Sequence, residues 1–376
     1  MNDNLILINA SNLHNGGGVQ VAISFLFELS KFNKEFKNIH IWVSSEVHQG
    51  LIYLQVDINI FGDYVVANTY GIRSYFSDLN SKIANYKLVF TVFGPNYFRC
   101  QAKKEIVGFA QSWITNFDNP ISRKMPFFSR NILKIKFYLQ WLFFLRADHY
   151  IVELEHVKRS LNKYKGINNN KISVVYNSIS SLYLDKNKWS SIFIPRESNN
   201  SEILLGIVTR DYPHKNLDIL PYVAKLLDKK YNLRVRFYVT LNESEWSVKN
   251  SFFKQYVSTV GSLTPDQCPS FYQQMDGVIF PSLLECFSVT PLEAMVMGKP
   301  LFASDRSFIR DICSDYAIYF NPEDYHDIAF KIFDYFSDYS KNIFNLDEAK
   351  IHALSFSSAA DRASKYLKII QQNIEV

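Results

Sequence analysis

The sequence predicts an α/β protein built from two doubly wound domains that face each other across a cleft. Short apolar runs alternate with helical patterns along most of the chain, and this rhythm stops near residue 180 and restarts near residue 201. Polar loops follow several of the apolar runs. Alternation of this kind is typical of βαβ units and parallel sheets, and 376 residues are enough for two such domains.

The first half of the chain contains six strand-like runs with helical patterns between them. The predicted strands are 5–10, 39–44, 87–93, 106–110, 149–154 and 172–176. The predicted helices are 19–32, 76–86, 129–146 and 155–164. We therefore expect a first domain over residues 1–180, followed by a polar, irregular linker over 181–200 that contains Pro195.

The second half repeats this organisation. The predicted strands are 203–209, 234–240, 277–281, 300–303 and 317–320. The predicted helices are 216–230, 265–275, 291–297 and 323–336. We expect a second domain over 201–355, and residues 356–376 carry a final amphipathic helix at 357–371.

Composition narrows the class of protein. Hydrophobic residues make up 47% and charged residues 20%, which excludes wholesale disorder. Four scattered cysteines lack metal-type or redox-type spacing, which indicates a reducing compartment. The formal net charge of +5 is too small to demand nucleic acid as a partner. The first residues resemble a strand more than a signal peptide, and no run is long enough to span a bilayer, so we expect a cytoplasmic protein.

A glycine-rich loop, residues 12–20, follows the first predicted strand and opens a helix. Glycines let backbone N–H groups approach an anion closely, and the helix dipole favours negative charge at that end. The spacing differs from that of dinucleotide-binding loops, because Val21 stands where the third glycine would fall. The same glycines suit a tight turn with positive φ, so this motif alone leaves both interpretations open.

A second loop, residues 206–216, follows the first strand of the second domain. Arg210 and Lys215 flank a turn that contains Pro213, and a guanidinium beside an ammonium suits a diphosphate. Asn216 is predicted to cap the helix that follows. Taken alone, the loop is explained more simply as a solvated turn with two ordinary cations.

Two carboxylates eight positions apart, Glu285 and Glu293, frame a third loop. Glu285 follows the strand at 277–281, and Glu293 lies in the first turn of the next helix. Carboxylates accept hydrogen bonds from hydroxyls, so this pair beside a helix N-terminus suits a sugar or ribose next to a phosphate. Glu293 has a structural alternative, a capping box with Thr290. Glu285 has none, and a carboxylate in an apolar loop is costly without a partner.

The segment from Glu285 to Pro300 resembles the E-x7-E motif of retaining glycosyltransferases of the GT-B fold, in particular glycosyltransferase family 4. The glycine-rich loop, the Arg210 and Lys215 pair, the run 172–177 and the last helix also match, so the resemblance covers most of the chain. It implies two Rossmann-like domains, a C-terminal helix that crosses back onto the first domain, and a nucleotide-diphosphate sugar as donor. It implies no metal and no other cofactor, and the sequence has no Asp-x-Asp motif and no His/Cys cluster with ligand spacing.

The resemblance also implies roles for individual residues. Glu285 would bind hydroxyls of the donor sugar, while Arg210 and Lys215 would neutralise the diphosphate as the glycosidic bond breaks. Further donor contacts are implied for Gly17, Gly18, Leu263, Cys286, Phe287, Ser288 and Glu293. In this set the two glycines would meet the phosphate or sugar, the backbone of 286–288 the sugar, Glu293 the ribose, and the turn at Leu263 the base.

The sequence departs from the family on the acceptor side. Many relatives carry a histidine after the strand that corresponds to 106–110, and Gln111 stands near that place. His14, close to the glycine-rich loop, is a second candidate for an acceptor contact. Cys286 and Ser288 replace the usual glycines, which predicts a narrower sugar pocket. A front-face mechanism needs no side-chain base, because the departing phosphate can take the acceptor's proton.

Residues 121–146 combine cations with aromatic residues and contain no Asp or Glu. The candidate membrane-facing cations are Arg123, Lys124, Arg130 and Lys134. Cations with interleaved aromatics suit an anionic membrane surface, although a core helix with snorkelling cations is equally consistent. With the membrane interpretation, we expect a peripheral protein on the inner face of the cytoplasmic membrane. Its acceptor would be a glycolipid, for example a lipid-linked oligosaccharide of bacterial O-antigen, capsule or lipopolysaccharide assembly.

Three hypotheses for function follow. The first is a retaining glycosyltransferase that moves a hexose from a nucleotide-diphosphate sugar to a glycan or glycolipid acceptor. The second is a GT-B-like sugar-nucleotide epimerase; a phosphorylase is disfavoured because no lysine resembles a pyridoxal phosphate site. The third is a non-catalytic sugar-nucleotide-binding partner in a glycan-assembly complex. The presence of Glu285, Arg210 and Lys215 favours an enzyme, because a non-catalytic relative need not keep them.

Overall fold

The protein was described from a computed structural model that covers residues 4–32, 36–196, 202–337 and 345–375. Contacts divide these residues into two compact units. The first unit contains the described residues up to 117, those at 126–178 and those from 357 onward. The second contains 118–125 and the described residues of 179–356. The predicted linker therefore belongs to the second unit as far as it is described.

Thirteen strands are present in the described residues. They are β1 (Ile6–Ala10), β2 (Phe36–Val43), β3 (Phe61–Val66), β4 (Leu88–Thr91), β5 (Lys104–Gly108), β6 (His149–Val152), β7 (Ile172–Val174), β8 (Ile203–Ile207), β9 (Val235–Val239), β10 (Val257–Thr259), β11 (Gly277–Phe280), β12 (Leu301–Ser304) and β13 (Ile318–Phe320). The strands form two fully parallel sheets, one in each unit.

Sixteen α-helices are present in the same residues. They are α1 (Gly17–Ser30), α2 (Ser45–Tyr53), α3 (Asn80–Ile83), α4 (Ser112–Thr115), α5 (Pro120–Lys124), α6 (Phe127–Phe144), α7 (Glu155–Lys165), α8 (Leu220–Tyr231), α9 (Glu243–Ser247), α10 (Ser251–Tyr256), α11 (Cys268–Gln274), α12 (Thr290–Val296), α13 (Ser307–Cys313), α14 (Tyr325–Ser337), α15 (Leu346–Leu354) and α16 (Ala359–Glu375). Short 3-10 helices, such as Gly71–Phe76, Ser181–Leu184 and Pro213–Lys215, fill several of the connections.

Each sheet reverses its strand order once. The first has the order β3-β2-β1-β4-β5-β6-β7, and the second has the order β10-β9-β8-β11-β12-β13. The reversals lie between β1 and β4 and between β8 and β11. In open parallel sheets, loops at the carboxyl ends of such a strand pair splay apart and form a ligand crevice. The predicted α/β fold with two doubly wound domains is therefore confirmed, and each sheet has one such switch point.

The last helix completes the core of the first unit. Tyr366 on α16 is fully buried, and its ring packs edge-on against Phe25 at 5.0 Å and Phe90 at 5.3 Å between ring centroids. These partners lie on α1 and β4, so residues distant in sequence share one aromatic cluster. The last helix packs on the first unit, as the sequence predicts.

Several elements differ from the sequence-based predictions. The strand β3 was not predicted because Gly62 and Asp63 interrupt its apolar pattern, and β10 is only three residues long. The predicted helix at 76–86 is reduced to α3, a single turn, because the amide of Asn80 donates to backbone carbonyls of the preceding 3-10 helix instead of facing solvent. At Asn80, side-chain hydrogen bonds compete with helical ones.

The segment predicted as a linker packs on the second unit. Ser190 N donates to the carbonyl of Asp266 at 3.0 Å, and Ile194 N donates to the side chain of Gln274 at 3.0 Å. Polar, Pro-containing composition is typical of linkers, but it does not exclude a strap held by backbone hydrogen bonds.

Candidate functional site

The switch point of the second sheet brings a cation and a carboxylate into contact. Lys215 lies at the end of the 3-10 helix that follows β8, and Glu285 lies in the loop that follows β11. Lys215 Nζ donates to Glu285 Oε1 at 2.7 Å. The backbone joins the same two loops, because Leu283 N donates to the carbonyl of His214 at 2.7 Å. The two loops therefore hold each other across the crevice.

The Lys215–Glu285 pair is largely shielded from water. The side chains are 15% and 10% exposed, and the ammonium also lies 5.6 Å from the centre of the Phe280 ring. Ion pairs with little exposure are fixed in position, because neither partner can lose the other without leaving a poorly solvated charge. The sequence argument that Glu285 needs a partner is thus answered by Lys215.

His214 lies in the same turn as Lys215. Its ring stacks on Tyr212 with 5.5 Å between centroids. Burial and the charge of Lys215 lower its pKa, and Glu285 opposes them only in part. His214 is therefore mainly neutral near pH 7 and acts as part of the turn.

The prediction that Asn216 caps the following helix is wrong. Its backbone is left-handed, with φ of 56°, whereas an N-cap residue has extended backbone angles. Its side-chain amide instead donates to the carbonyl of Pro322 at 2.7 Å. Asn216 thus ties the turn to the loop after β13, and this long-range bond favours a backbone conformation that asparagine tolerates.

Arg210 has a different acid partner from Lys215. Its Nε donates to both carboxylate oxygens of Glu245, at 2.9 and 3.1 Å, and the side chain is 53% exposed. Burial alone would raise the pKa of Glu245, but hydrogen bonds from Arg210 and from two backbone N–H groups lower it overall. Glu245 also forms a capping box with Asn242 at the start of α9. The two cations predicted for one diphosphate are thus held by separate carboxylates.

Glu293 does not form the capping box with Thr290 that the sequence allows. The helix α12 begins at Thr290, with Val289 at the cap position, and no side chain caps it. The Glu293 carboxyl instead accepts a hydrogen bond from the Tyr272 hydroxyl at 3.1 Å and another from Tyr183. The capping-box alternative is therefore excluded, because the tyrosines bind the carboxyl instead.

Burial has a strong effect on this acidic group. It raises the pKa of Glu293 to about 7, although the two tyrosine hydrogen bonds lower it in part. Tyr183 comes from the strap that was predicted as a linker, and no local sequence pattern links it to Glu293. Its contact with Glu293 was therefore not predicted from the sequence.

The remaining predicted donor residues in the second unit lie at the same sheet edge. Cys286 and Ser288, in the loop after β11, are buried, and Phe287 between them is partly exposed. Leu263 is partly exposed in the loop after β10, two residues beyond Gly261, whose φ of 78° is left-handed. A carboxyl-edge position is where a ligand of this sheet would bind.

The switch point of the first sheet contains no ion pair comparable to Lys215–Glu285 among the contacts of its described loops. Asn12 Nδ2 donates to the carbonyl of Phe93 at 2.8 Å, which joins the loop after β1 to the loop after β4. Gly16 precedes α1 with φ of 70°, and no side chain caps the first turn of this helix. Gly17 and Gly18 form that first turn, and the backbone N–H groups at this end have no acceptor within the helix.

His14 is part of a network that joins two loops and the first turn of α2 in the first unit. Its Nδ1 lies 2.9 Å from Glu46 Oε2, and its Nε2 lies 3.0 Å from the carbonyl of Thr69. The ring stacks on Tyr70 with 4.3 Å between centroids and 14° between planes. Gln111, the other predicted acceptor-side residue, lies partly exposed just before α4 at the carboxyl end of β5.

The basic, aromatic segment forms α5 and α6, and α6 has two apolar stripes. One stripe, Phe137, Trp141 and Phe144, is buried against the first unit. The other is exposed to between 42% and 80%, and it consists of Phe128, Ile132, Ile135, Leu139 and Leu142. Arg123 pairs with Asp118, just outside the acid-free segment, with the closest atoms 3.1 Å apart. Lys124 and Lys134 are exposed, and Arg130 is partly exposed.

Two further observations concern the part of the chain that the structure describes. None of its helices combines the length and the apolar character that crossing a membrane requires. Within the same residues, no three or more His, Cys, Asp or Glu side chains are arranged to hold a metal ion.

Comparison with known proteins agrees with the geometry. Residues 190–348 match the family model described as Glycosyl transferases group 1. The O-antigen chain mannosyltransferase RfbU of Salmonella typhimurium is 25% identical over 336 residues, which cover 85% of this chain and 87% of that protein.

Solved glycosyltransferase structures show the same fold. A glycosyltransferase from Rickettsia africae superimposes with a TM-score of 0.69 at 15% identity, covering 99% of both chains. HepE of Anabaena, solved with UDP and glucose, gives a TM-score of 0.66 at 14% identity, covering 98% of this chain and all of the other. The chain therefore contains a glycosyl transferases group 1 domain and is a glycosyltransferase of the GT-B fold.

Proposed function

We propose that the chain transfers a hexose, with retention of anomeric configuration, from a nucleotide-diphosphate sugar to a glycan acceptor. The observation that carries this proposal is the 2.7 Å contact between Lys215 and Glu285 at the switch point of the second sheet. A fixed cation beside a fixed carboxylate suits the two groups that the breaking glycosidic bond joins, the diphosphate and the sugar. The diphosphate leaves with negative charge, and the sugar presents hydroxyl groups that donate to a carboxylate.

The proposed roles follow from the partners of each side chain. Lys215 neutralises charge on the leaving diphosphate, while Glu285 accepts hydrogen bonds from sugar hydroxyls. Arg210 joins the diphosphate by leaving Glu245, because the Arg210 side chain is 53% exposed and Glu245 keeps hydrogen bonds from two backbone N–H groups. The other proposed donor contacts are Gly17, Gly18, Leu263, Glu293 and the backbone of 286–288.

The proposed chemical step balances without a side-chain base. The bond between the sugar C1 and the phosphate oxygen breaks, and both electrons stay with the diphosphate. The acceptor's hydroxyl oxygen forms the new bond to C1 on the face that the diphosphate leaves. The proton of that hydroxyl passes to the departing phosphate oxygen. Gln111 cannot accept this proton as a base, so the mechanism agrees with glutamine at that position.

The proposed acceptor is a lipid-linked oligosaccharide of bacterial surface polysaccharide assembly. A relative over most of the chain is an O-antigen chain mannosyltransferase. The exposed stripe on α6, with Lys134 and Lys136 exposed among its residues, has the composition of a helix that lies in an anionic membrane surface. We therefore propose that α6 docks the protein peripherally where its acceptor is anchored.

Thermal-shift titration with UDP-, GDP-, dTDP- and ADP-hexoses tests the donor site. A donor at 100 times its Kd stabilises the folded state by about 2.7 kcal/mol, and we expect one nucleotide class to do so. Lys215→Ala should remove this shift. Lys299→Ala is the matched control, because Lys299 is also partly buried but bonds to two carbonyls at the amino end of the strands. Equal donor shifts in the wild type and Lys215→Ala would contradict the proposed site.

Proton NMR of the transfer product tests the stereochemistry. A product whose anomeric configuration matches that of the donor supports retention. An inverted product would exclude the front-face step while leaving the donor site intact.

Flotation with anionic vesicles at low salt tests membrane docking. The wild type should float with phosphatidylglycerol vesicles, and Ile135→Glu on α6 should remain in the bottom fraction. Ile351→Glu, on α15, is the control because that side chain is similarly exposed, at 68% against 59%. A wild-type protein that stays in the bottom fraction, or equal flotation of both variants, would exclude α6 as the docking surface.

A further inference from the structure

We infer that Tyr70, Glu46 and His14 form a subsite for a neutral pyranose ring of the acceptor. This inference rests on the proposed glycosyltransfer and names the part of the first unit that receives the sugar. Tyr70 and His14 come from the loops after β3 and β1, and Glu46 comes from the first turn of α2, which follows β2. These three strands are neighbours in the first sheet. Their side chains meet at the carboxyl edge of that sheet, the edge at which parallel sheets bind ligands.

The network around His14 makes this surface rigid. Both atoms that face its ring nitrogens, a carboxylate oxygen of Glu46 and the carbonyl of Thr69, are hydrogen-bond acceptors. The ring is thus held between Glu46 and Thr69, and it cannot rotate without losing these contacts. Thr69 is held in turn by Ser11, whose carbonyl accepts from Thr69 N at 3.0 Å and whose hydroxyl lies 2.9 Å from Thr69 Oγ1.

Tyr70 presents an aromatic surface that the network holds in place. One face of its ring stacks on His14, and the side chain is still 55% exposed. An exposed tyrosine normally samples several rotamers, and fixing it costs conformational entropy. Here the stack on His14 supplies that order before a ligand binds, which is the form of preorganisation that improves affinity.

Glu46 supplies the polar half of the subsite. The hydrogen bond from His14, followed by one from its own backbone N–H, lowers its pKa, so the group is a carboxylate near neutral pH. Its side chain is 43% exposed beside the tyrosine ring. A pyranose has an apolar face of C–H groups and a rim of hydroxyls, so the ring face suits Tyr70 and the rim donates to Glu46. A carboxylate there disfavours uronic acids and phosphorylated sugars, which defines the class as neutral pyranosides.

Saturation-transfer NMR with the whole protein tests this subsite. The probes are methyl α-D-mannopyranoside, methyl α-D-glucopyranoside and methyl α-D-galactopyranoside, with methyl α-D-glucuronide as the charged comparison. We expect a saturation-transfer signal from at least one neutral pyranoside and a weaker signal from the glucuronide. Tyr70→Ala should reduce the signal about fivefold or more, and Tyr70→Phe should preserve it, because the ring face makes the contact.

The matched control is Tyr53→Ala at the end of α2, since Tyr53 is also exposed but stacks on no histidine among the ring contacts of the described residues. Its signal should equal that of the wild type. Absence of a saturation-transfer signal from all three neutral pyranosides, or an equal signal with Tyr70→Ala and the wild type, would overturn the inference. The donor titration on the same samples separates the two ideas. A lost donor shift contradicts the proposed function, whereas a lost pyranoside signal contradicts only this subsite.

Discussion

The two switch points of the molecule have the same topology and opposite chemistry. In the second unit, the loops after β8 and β11 are joined by a shielded ion pair, Lys215–Glu285. In the first unit, the loops after β1 and β4 are joined by a neutral bond from Asn12 to a backbone carbonyl, beside glycines that open α1. One crevice offers fixed side-chain charges and the other offers backbone N–H groups.

This difference indicates that the sheet topology determines where a ligand crevice forms, whereas the residues in the crevice determine which ligands it suits. Both sheets bring two loops together at their strand reversal, so neither fold alone distinguishes a donor from an acceptor unit. A diphosphate needs compensating positive charge, which the second switch point holds in place. A neutral sugar needs shape and hydrogen bonds, which the network around His14 and Tyr70 in the first unit supplies.

The largest effect should come from removing the charge of Glu285. Glu285→Gln keeps the shape of the side chain but leaves Lys215 without its counter-charge and weakens the grip on sugar hydroxyls. Transfer should fall by about 10²- to 10³-fold in kcat/KM, as expected for loss of one preorganised polar contact at a reacting centre. Glu202→Gln is the control, because Glu202 is similarly shielded at 15% exposure but pairs with Arg236 before β8, at the opposite edge. If Glu285→Gln transferred sugar with the wild-type kcat/KM, the Lys215–Glu285 pair would have no role in transfer.

A smaller effect concerns how the second unit tolerates pH. Burial raises the pKa of Glu293 to about 7, against 4.5 for an ordinary glutamate. Between these values the folded state keeps a proton that the unfolded state releases, so the free energy of unfolding falls as pH rises from 4.5 to 7. In Glu293→Gln this contribution disappears, and the variant should gain up to about 3 kcal/mol relative to the wild type across that window.

Denaturant unfolding at pH 4.5, 6 and 7.5 measures the Glu293 contribution. Glu105 and Glu153, whose pKa burial also raises to about 7, remain in both proteins, so the difference isolates one group. A difference that stays constant with pH would show that the Glu293 carboxyl is solvated.

A still smaller effect should separate Arg210 from Lys215. Arg210→Ala removes a half-exposed cation and its ion pair with Glu245, so the free energy of unfolding should change by no more than about 1 kcal/mol. Sugar transfer should still fall about tenfold, since one of the two cations proposed to neutralise the leaving diphosphate is lost. Arg310→Ala is the matched control, because Arg310 is 46% exposed and pairs with Asp305 in the same unit. If both variants kept full activity, the charged crevice would depend on Lys215 alone.

The smallest effect concerns the glycines of the first switch point. Gly94 has φ of 92°, and an added Cβ would lie 3.0 Å from the amide nitrogen of Asn12, so Gly94→Ala should destabilise the fold by about 1 kcal/mol. Gly17 has no such strain and no atom within 4 Å of an added Cβ, so Gly17→Ala should leave stability unchanged or slightly higher. Chemical denaturation measures both, and equal losses would contradict the structural contrast.

The sequence predicts those features that depend on local pattern. Alternating apolar runs predict the order of strands along the chain, and Lys215 and Glu285 are each predicted to follow the carboxyl end of a strand. Their direct contact was not predicted. The contacts of Tyr183 with Glu293 and of Arg210 with Glu245 were not predicted. Each joins residues far apart in the chain, and no spacing rule relates them.

In two further places, residues have the sequence pattern of a local helix cap but form long-range hydrogen bonds instead. Asn216 has the right chemistry for a helix cap, but its amide bonds to the loop after β13. Thr290 and Glu293 have the spacing of a capping box, but two tyrosine hydroxyls compete for the carboxyl. Tertiary hydrogen bonds outweigh a local motif when burial makes an unsatisfied group costly.

The position of Tyr366 between Phe25 and Phe90 has a consequence for biosynthesis. The chain reaches α16 only after the whole second unit, yet this helix fills the aromatic core of the first unit. Until α16 is translated, the nascent first unit exposes that hydrophobic surface. Truncation before Ala359 should therefore yield aggregated protein, even though the proposed donor residues of the second unit are all retained.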